Sequence, residues 1–322
     1  AATIVAGAMA ERTQINAYLA YSFIVGAIIY PVYGHWVWGN GWLSNLSLGQ
    51  GAVDFAGSGV VHAVGGMVAL AGAAMVGPRI GKFNPDGTSN DIPGHNMPYV
   101  LLGTFILFFG WFGFNAGSTL SGTDLRIATI ATNTLLAGAT GAVVAMYIQM
   151  SITGKADLAM SCNGALAGLV GITAPCAFVA PWAAVVIGGV SAPVMMLSMR
   201  FVERNLKIDN PVGAASVNGT TGLWGLLAVG IFANGTYGDV SGLVDGNAEQ
   251  IVAQLISIAT VVVWGLSMGL ALFWGIKRFI GLRASTEEEL EGLDGPEHGV
   301  LAYPEVPKVS DALALGNPSA GD

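Results

Sequence analysis

Apolar runs of about twenty residues, separated by short polar loops, set the pattern of this chain. They extend from about Ile15 to Trp38, Asp54 to Arg79, Met97 to Ser118, Ile127 to Thr153, Asp157 to Val179, Ala180 to Met199, Pro211 to Ala233 and Ile251 to Ile280. A helix needs roughly 17–25 mainly apolar residues to cross the hydrocarbon layer. The pattern therefore predicts an all-α polytopic membrane protein with about eight full spans. The first ten residues, AATIVAGAMA, are apolar but too short to span and have no basic segment before them. They read as the end of a helix that begins upstream, so the N-terminal spans are expected to be missing from this chain.

The run from Asp54 to Arg79, DFAGSGVVHAVGGMVALAGAAMVGPR, reads as a single helix closed by Pro78 and Arg79. Its notable polar side chains are Asp54 and, eight residues on, His62. That spacing is a little over two turns, which places both on one face about 12 Å apart along the axis. An ionisable group in mid-membrane marks an interior pathway more often than a packing site.

Composition supports the membrane reading: 53% of residues are hydrophobic and only 10% charged, against roughly a quarter charged in soluble domains. Abundant glycine predicts helices packed through small residues. Cys162 and Cys176 sit in apolar segments without metal-ligand spacing. No nucleophile–base pair or metal cluster is visible, so neither an enzyme nor a cofactor is expected. The net charge of −8 comes largely from the C-terminal tail and does not point to nucleic acid.

Orientation follows from Lys and Arg. With eight crossings, Arg12, Arg79, Lys82, Lys155, Arg200, Arg204, Lys207, Lys277, Arg278, Arg283 and Lys308 fall on one side and only Arg126 on the other. This asymmetry predicts a multi-pass protein of the cell (inner) membrane with a cytoplasmic C-terminus. The chain divides into a membrane domain, 1–282, and a tail, 283–322. The tail is acidic and poor in core-forming residues, and is expected to be a flexible peptide that docks on the membrane domain or on a partner.

Five stretches then carry a resemblance: AERTQINAYL (Ala10 to Leu19), DFAGSGVVH with the run to GPR, GWFGFNAGS (Gly110 to Ser118), CNGALAGLVGITAP (Cys162 to Pro175) and GLRASTEEELEGLDGPEHG (Gly281 to Gly299). In order and over nearly the whole length, the chain resembles the ammonium transporter (Amt/Mep/Rh) family. The resemblance implies an eleven-span helical bundle of two inverted halves, a common transporter plan, assembled as a homotrimer with one pore per subunit. The spans seen here would be the fourth to the eleventh. It also implies an outer vestibule that recruits ammonium. Trp38 matches the vestibule Trp, with Trp42 the alternate; Ser118 matches its Ser, and Phe114 the inner gate Phe. Asp54 matches a buried acid that shapes this site through backbone groups, a role that an acid capping its own helix also fits. The family tail is where PII-type regulators dock.

One departure stands out. The family lines its pore with two hydrogen-bonded histidines, and His62 matches the first. Where many relatives read DDPxDxxxVHG, this chain reads IDNPVGAASVNG, Ile208 to Gly219. Asn218 replaces the second histidine, while Asn210 and Gly213 replace two acids. An imidazole takes and gives protons near neutral pH, whereas an amide hydrogen-bonds but does not titrate. Recruitment residues kept and a relay residue lost point to an ammonium sensor with impaired conduction, joined to a cytoplasmic signalling domain as in some superfamily members. The alternative is a conducting ammonium transporter or channel. A sodium- or proton-coupled carrier for another solute would need a more polar lining.

Overall fold

The computed structural model describes residues 1–303. A short helix α1 (Ala2–Met9) precedes seven helices long and apolar enough to cross a membrane. These are α2 (Ile15–Trp38), α3 (Ser58–Val76), α4 (Met97–Thr119), α5 (Arg126–Thr153), α7 (Pro181–Asn205), α8 (Ala215–Phe232) and α9 (Glu249–Phe279). Between α5 and α7 lies α6 (Leu158–Thr173), a shorter apolar helix. The expected eighth crossing is thus made with only 16 helical residues, a rise of about 24 Å. Residues 174–180, between Thr173 and Pro181, leave the helix instead of extending it. They are not wasted: the carbonyls of Ala174 and Thr173 accept the N–H groups of Phe55 and Ala56.

Two helices form the centre. The apolar stretch of α3 is 78% buried and that of α8 is 61% buried, more than in any other of the seven long helices. They cross through glycine. A Cβ on Gly66 would collide with the backbone of Gly219, and one on Gly222 with the carbonyl of Ser58. Backbones this close require residues with no side chain, as in many membrane helix pairs. Outside this pair, α5 and α6 meet through Gly141, Gly164 and Gly168. The long α9 lies along α3 through Gly265 and Gly269, against Met67 and Ala71.

The helix expected to start at Asp54 begins four residues later. Gly57 adopts a left-handed conformation, φ 114°, open to glycine but strained for other residues. It breaks the helix from Asp54, which turns back to cap it. The two polar groups of this run therefore do not sit on one continuous helical face. Both α3 and α8 open with a π-helical turn, Ser58–Ala63 and Ala215–Thr220. These two turns carry His62 and Asn218.

At one end of the bundle the basic residues assemble. Arg79 pairs with Asp209 through Nε and Nη2, at 2.8 and 3.1 Å, and with Glu11 at 2.6 Å. Arg12, fully buried, donates to the carbonyls of Gly77, Ala10 and Asp209. Lys82 pairs with Glu203, and Lys207 donates to the carbonyl of Gly87. The described part of the tail is folded onto this end. Its residues form α10 (Thr286–Glu291), opened by a reciprocal Ser285–Glu288 capping box, and α11 (Asp294–His298). Gln14 donates its N–H to the Leu282 carbonyl and Ala284 to that of Arg12. Glu289 receives Arg283 and the N–H of Ile80, and Glu297 the N–H of Ile15. Up to residue 303 the tail therefore lies against the membrane domain, one of its two expected placements, with Glu289 and Glu297 accepting N–H groups of other segments. The remainder, 304–322, lies outside the described residues.

Candidate functional site

Asp54 is 4% exposed and acts through backbone. One carboxylate oxygen accepts the N–H groups of Gly57 and Ser58 at 2.8 and 3.0 Å. The other accepts those of Gly59 and Val60 at 2.8 and 2.9 Å. These are the donors a helix start leaves unsatisfied, and an anion there also faces the positive end of the helix dipole. The Asp54 carbonyl in turn accepts the indole N–H of Trp38 at 2.6 Å. Loop geometry upstream is held by α9, where Gln254 both accepts the N–H of Val53 and donates to its carbonyl. Trp38 is therefore tied to the capped start of α3, with its ring against Gly57. Trp42, the alternate, faces elsewhere: it packs on Trp36 and lines a groove with Trp264 and Ser267.

On α4, the hydroxyl of Ser118 donates to the carbonyl of Phe114 at 2.7 Å. Its proton is committed, so its free lone pairs suit a donor such as ammonium. Phe114 is 37% exposed and its ring centre lies 5.4 Å from that of His62. Phe112 points away and packs on Phe108.

Below Phe114 a cavity of about 520 Å³ is lined by Val61, His62, Leu107, Trp111, Phe114 and Asn218 among others, with the amino end of Ala1 also on its wall. His62 Nδ1 lies 2.9 Å from Asn218 Oδ1. Trp111 stacks on the His62 ring, 5.1 Å between centres and 9° from parallel. Its indole N–H is taken by the Thr173 hydroxyl. Sequence reasoning assigned no role to Trp111 although it belongs to GWFGF. Its position one turn before Phe114 was the available signal.

So a titratable ring sits between two aromatics and an amide, deep in an apolar bundle of two crossed half-helices. Residues 1–303 match the sequence profile of the Ammonium Transporter Family. The chain belongs to the ammonium transporter family. It is 51% identical over 334 residues to ammonium transporter Amt2 of Archaeoglobus fulgidus, covering all of this chain and 71% of that protein. It is 40% identical to ammonium transporter 1 member 2 of Arabidopsis thaliana, covering 94% of this chain and 64% of that one. Among solved structures it is similar to a sensor Amt protein, with TM-score 0.86 and 40% identity over 92% of this chain and 73% of that chain. It is also similar to Mep2 of Candida albicans, with TM-score 0.80 and 32% identity over 89% and 64%. The chain thus spans only part of the length of each. The fold expected from the resemblance, a multi-pass helical membrane bundle of the ammonium transporter type, is the fold found. The relatives are named as transporters and a sensor, not as enzymes.

Proposed function

We propose that this chain forms the ammonium-binding membrane portion of a receptor, and that it conducts ammonium poorly. Ammonium enters a vestibule shaped by Trp38, Ser118 and Asp54, passes the Phe114 gate, and meets the His62–Asn218 pair. A small cation over an aromatic face gains roughly 0.5–2 kcal/mol, suited to a weak, reversible site. The observation that carries the reading is the 2.9 Å bond between His62 Nδ1 and Asn218 Oδ1. It fills the place of a proton-passing pair with a partner that cannot titrate.

The same reading places the chain as a homotrimer with its basic end and C-terminal tail in the cytoplasm. Residues 1–282 form the membrane domain. The tail, 283–322, contacts a PII-type regulator or leads to a fused signalling domain. A second reading, a conducting transporter, is favoured by the 51% identity to a protein named as one.

Ammonium pulses on the complete protein in liposomes separate the two. The receptor reading expects a brief, saturable charge transient without steady current, and sustained current once Asn218→His is introduced. Sustained current in the native protein would establish the transporter reading.

A further inference from the structure

The two central helices are built on one plan. Asp54 stands eight residues before His62, and Asn210 eight before Asn218. Three residues after each comes a glycine in the left-handed region, Gly57 at φ 114° and Gly213 at φ 73°. A π-helical turn follows in both. The helices enter from opposite ends of the bundle: α3 starts beside Trp38, and α8 beside the cluster of Arg12, Arg79 and Asp209.

The caps differ in charge. The Asp54 carboxylate accepts four N–H groups at 2.8–3.0 Å. At the matching place Asn210 Oδ1 accepts one, from Ala215, at 3.5 Å. Its Nδ2 is buried without a hydrogen-bond partner. Neighbouring Asp209 does not stand in, because Arg79 takes both of its oxygens. A helix start carries roughly half a positive charge, which a carboxylate offsets and an amide does not. Beside the start of α8 lies a second cavity, of about 270 Å³, which Asn218 shares with the deep one. Tyr99, Asn163, Ala214 and Asn218 are on its wall, and no charged side chain is among its lining residues. Asp157, at the start of α6, is exposed and holds the N–H of Met160.

We infer that Asn210 makes access of ammonium to the deep pair one-sided, fast from the Trp38 end and slow from the basic end. A cation arriving from the Trp38 end meets a helix start already offset by a carboxylate, and an indole face. From the basic end it meets the positive end of α8 with no anion against it, beside an apolar cavity where charge is felt strongly. Asn210 itself touches no ion; it acts through the start of α8. Occupancy of a site open to two pools follows the pool that exchanges faster. The receptor therefore tracks ammonium outside the cell and is little disturbed by ammonium within it. This rests on the reading of the Trp38 end as outer and the basic end as cytoplasmic.

The test uses sealed membrane vesicles holding the full-length protein, right-side-out or inside-out, with vesicles lacking the protein as the blank. Ammonium chloride pulses are read as charge movement. The transient should rise about tenfold faster in right-side-out than in inside-out vesicles, the scale that a helix-end charge sets. Asn210→Asp should speed the inside-out transient about tenfold and leave the right-side-out one unchanged. Asn210→Ser, which removes the amide without adding charge, should keep the native asymmetry and so separates charge from packing. Should Asn210→Asp fail to fold on size exclusion, the asymmetry of the native protein decides alone. Equal rates from both faces, or a folded Asn210→Asp protein as asymmetric as the native one, would overturn the inference. Steady current from the right-side-out face with the asymmetry intact would overturn only the receptor reading. Silence from both faces would remove the ammonium reading and this inference with it.

Discussion

At the scale of single residues, the cap at Asp54 holds the start of α3. Four N–H donors converge on its two oxygens, and none can reach water from where it lies. Asp54→Ala is expected to cost roughly 2–4 kcal/mol, seen as a lower unfolding temperature in detergent. Asp54→Asn keeps one acceptor oxygen and should cost about half as much. Both should weaken ammonium recruitment, because the Trp38 indole hangs from the Asp54 carbonyl. Unchanged thermal stability in the alanine variant would show that the cap is dispensable.

At the scale of elements, the α3–α8 crossing depends on absent side chains. Gly66→Ala sets a methyl group against the backbone of Gly219 and must push the two central helices apart, moving His62 relative to Asn218. Loss of folded protein, or of ammonium binding in what folds, is expected. Gly103→Ala, in α4 where a Cβ meets nothing within 4 Å, should be neutral or stabilising by up to about 1 kcal/mol. Comparing the two by size exclusion and thermal melting isolates crossing from propensity. Much of this level was legible in the sequence. Runs of apolar residues located the spans to within a few positions, because length and hydropathy are all a bilayer demands. The start of α3 was not legible, since it hangs on one left-handed backbone angle at Gly57. Nor was the stacking of Trp111 on His62, which needs two distant spans at a set angle. Nor was the bond from the Trp38 indole to the Asp54 carbonyl legible, since spacing alone cannot supply it.

At the scale of the whole molecule, the charged end joins the loop after α3, the loop before α8, the start of α2 and the tail. Burial works against the Asp209 carboxylate, but bonds from Arg79 and its backbone N–H, with Arg12 nearby, hold it below the ordinary carboxylate range. A group lowered on folding stabilises fully above its unfolded value, about 3.9, and loses that contribution as pH falls through the folded value. The bundle should therefore melt at a constant temperature from neutral pH down to about pH 5 and weaken below pH 4. Asp209→Asn should show a lower melting point at neutral pH and a shallower acid decline. Arg283→Ala should free the tail: its guanidinium holds both Glu289 and the Val76 carbonyl. Faster hydrogen exchange over 286–298, with the spans unchanged, is the expected result.

The π-helical turns at Ser58–Ala63 and Ala215–Thr220 have a consequence of their own. A π turn amounts to one residue added to a regular helix, and such turns gather where function sits. Each residue advances the helix by about 100°. Deleting a single residue from either turn would let the ladder relax to regular spacing and swing everything beyond it by roughly that angle, carrying His62 or Asn218 off the wall of the cavity. Change of length, far more than change of side chain, is what this centre cannot absorb. Descent with substitutions could trade a histidine for an asparagine here, but a gap of one in an alignment at either turn would mark a protein with a different interior.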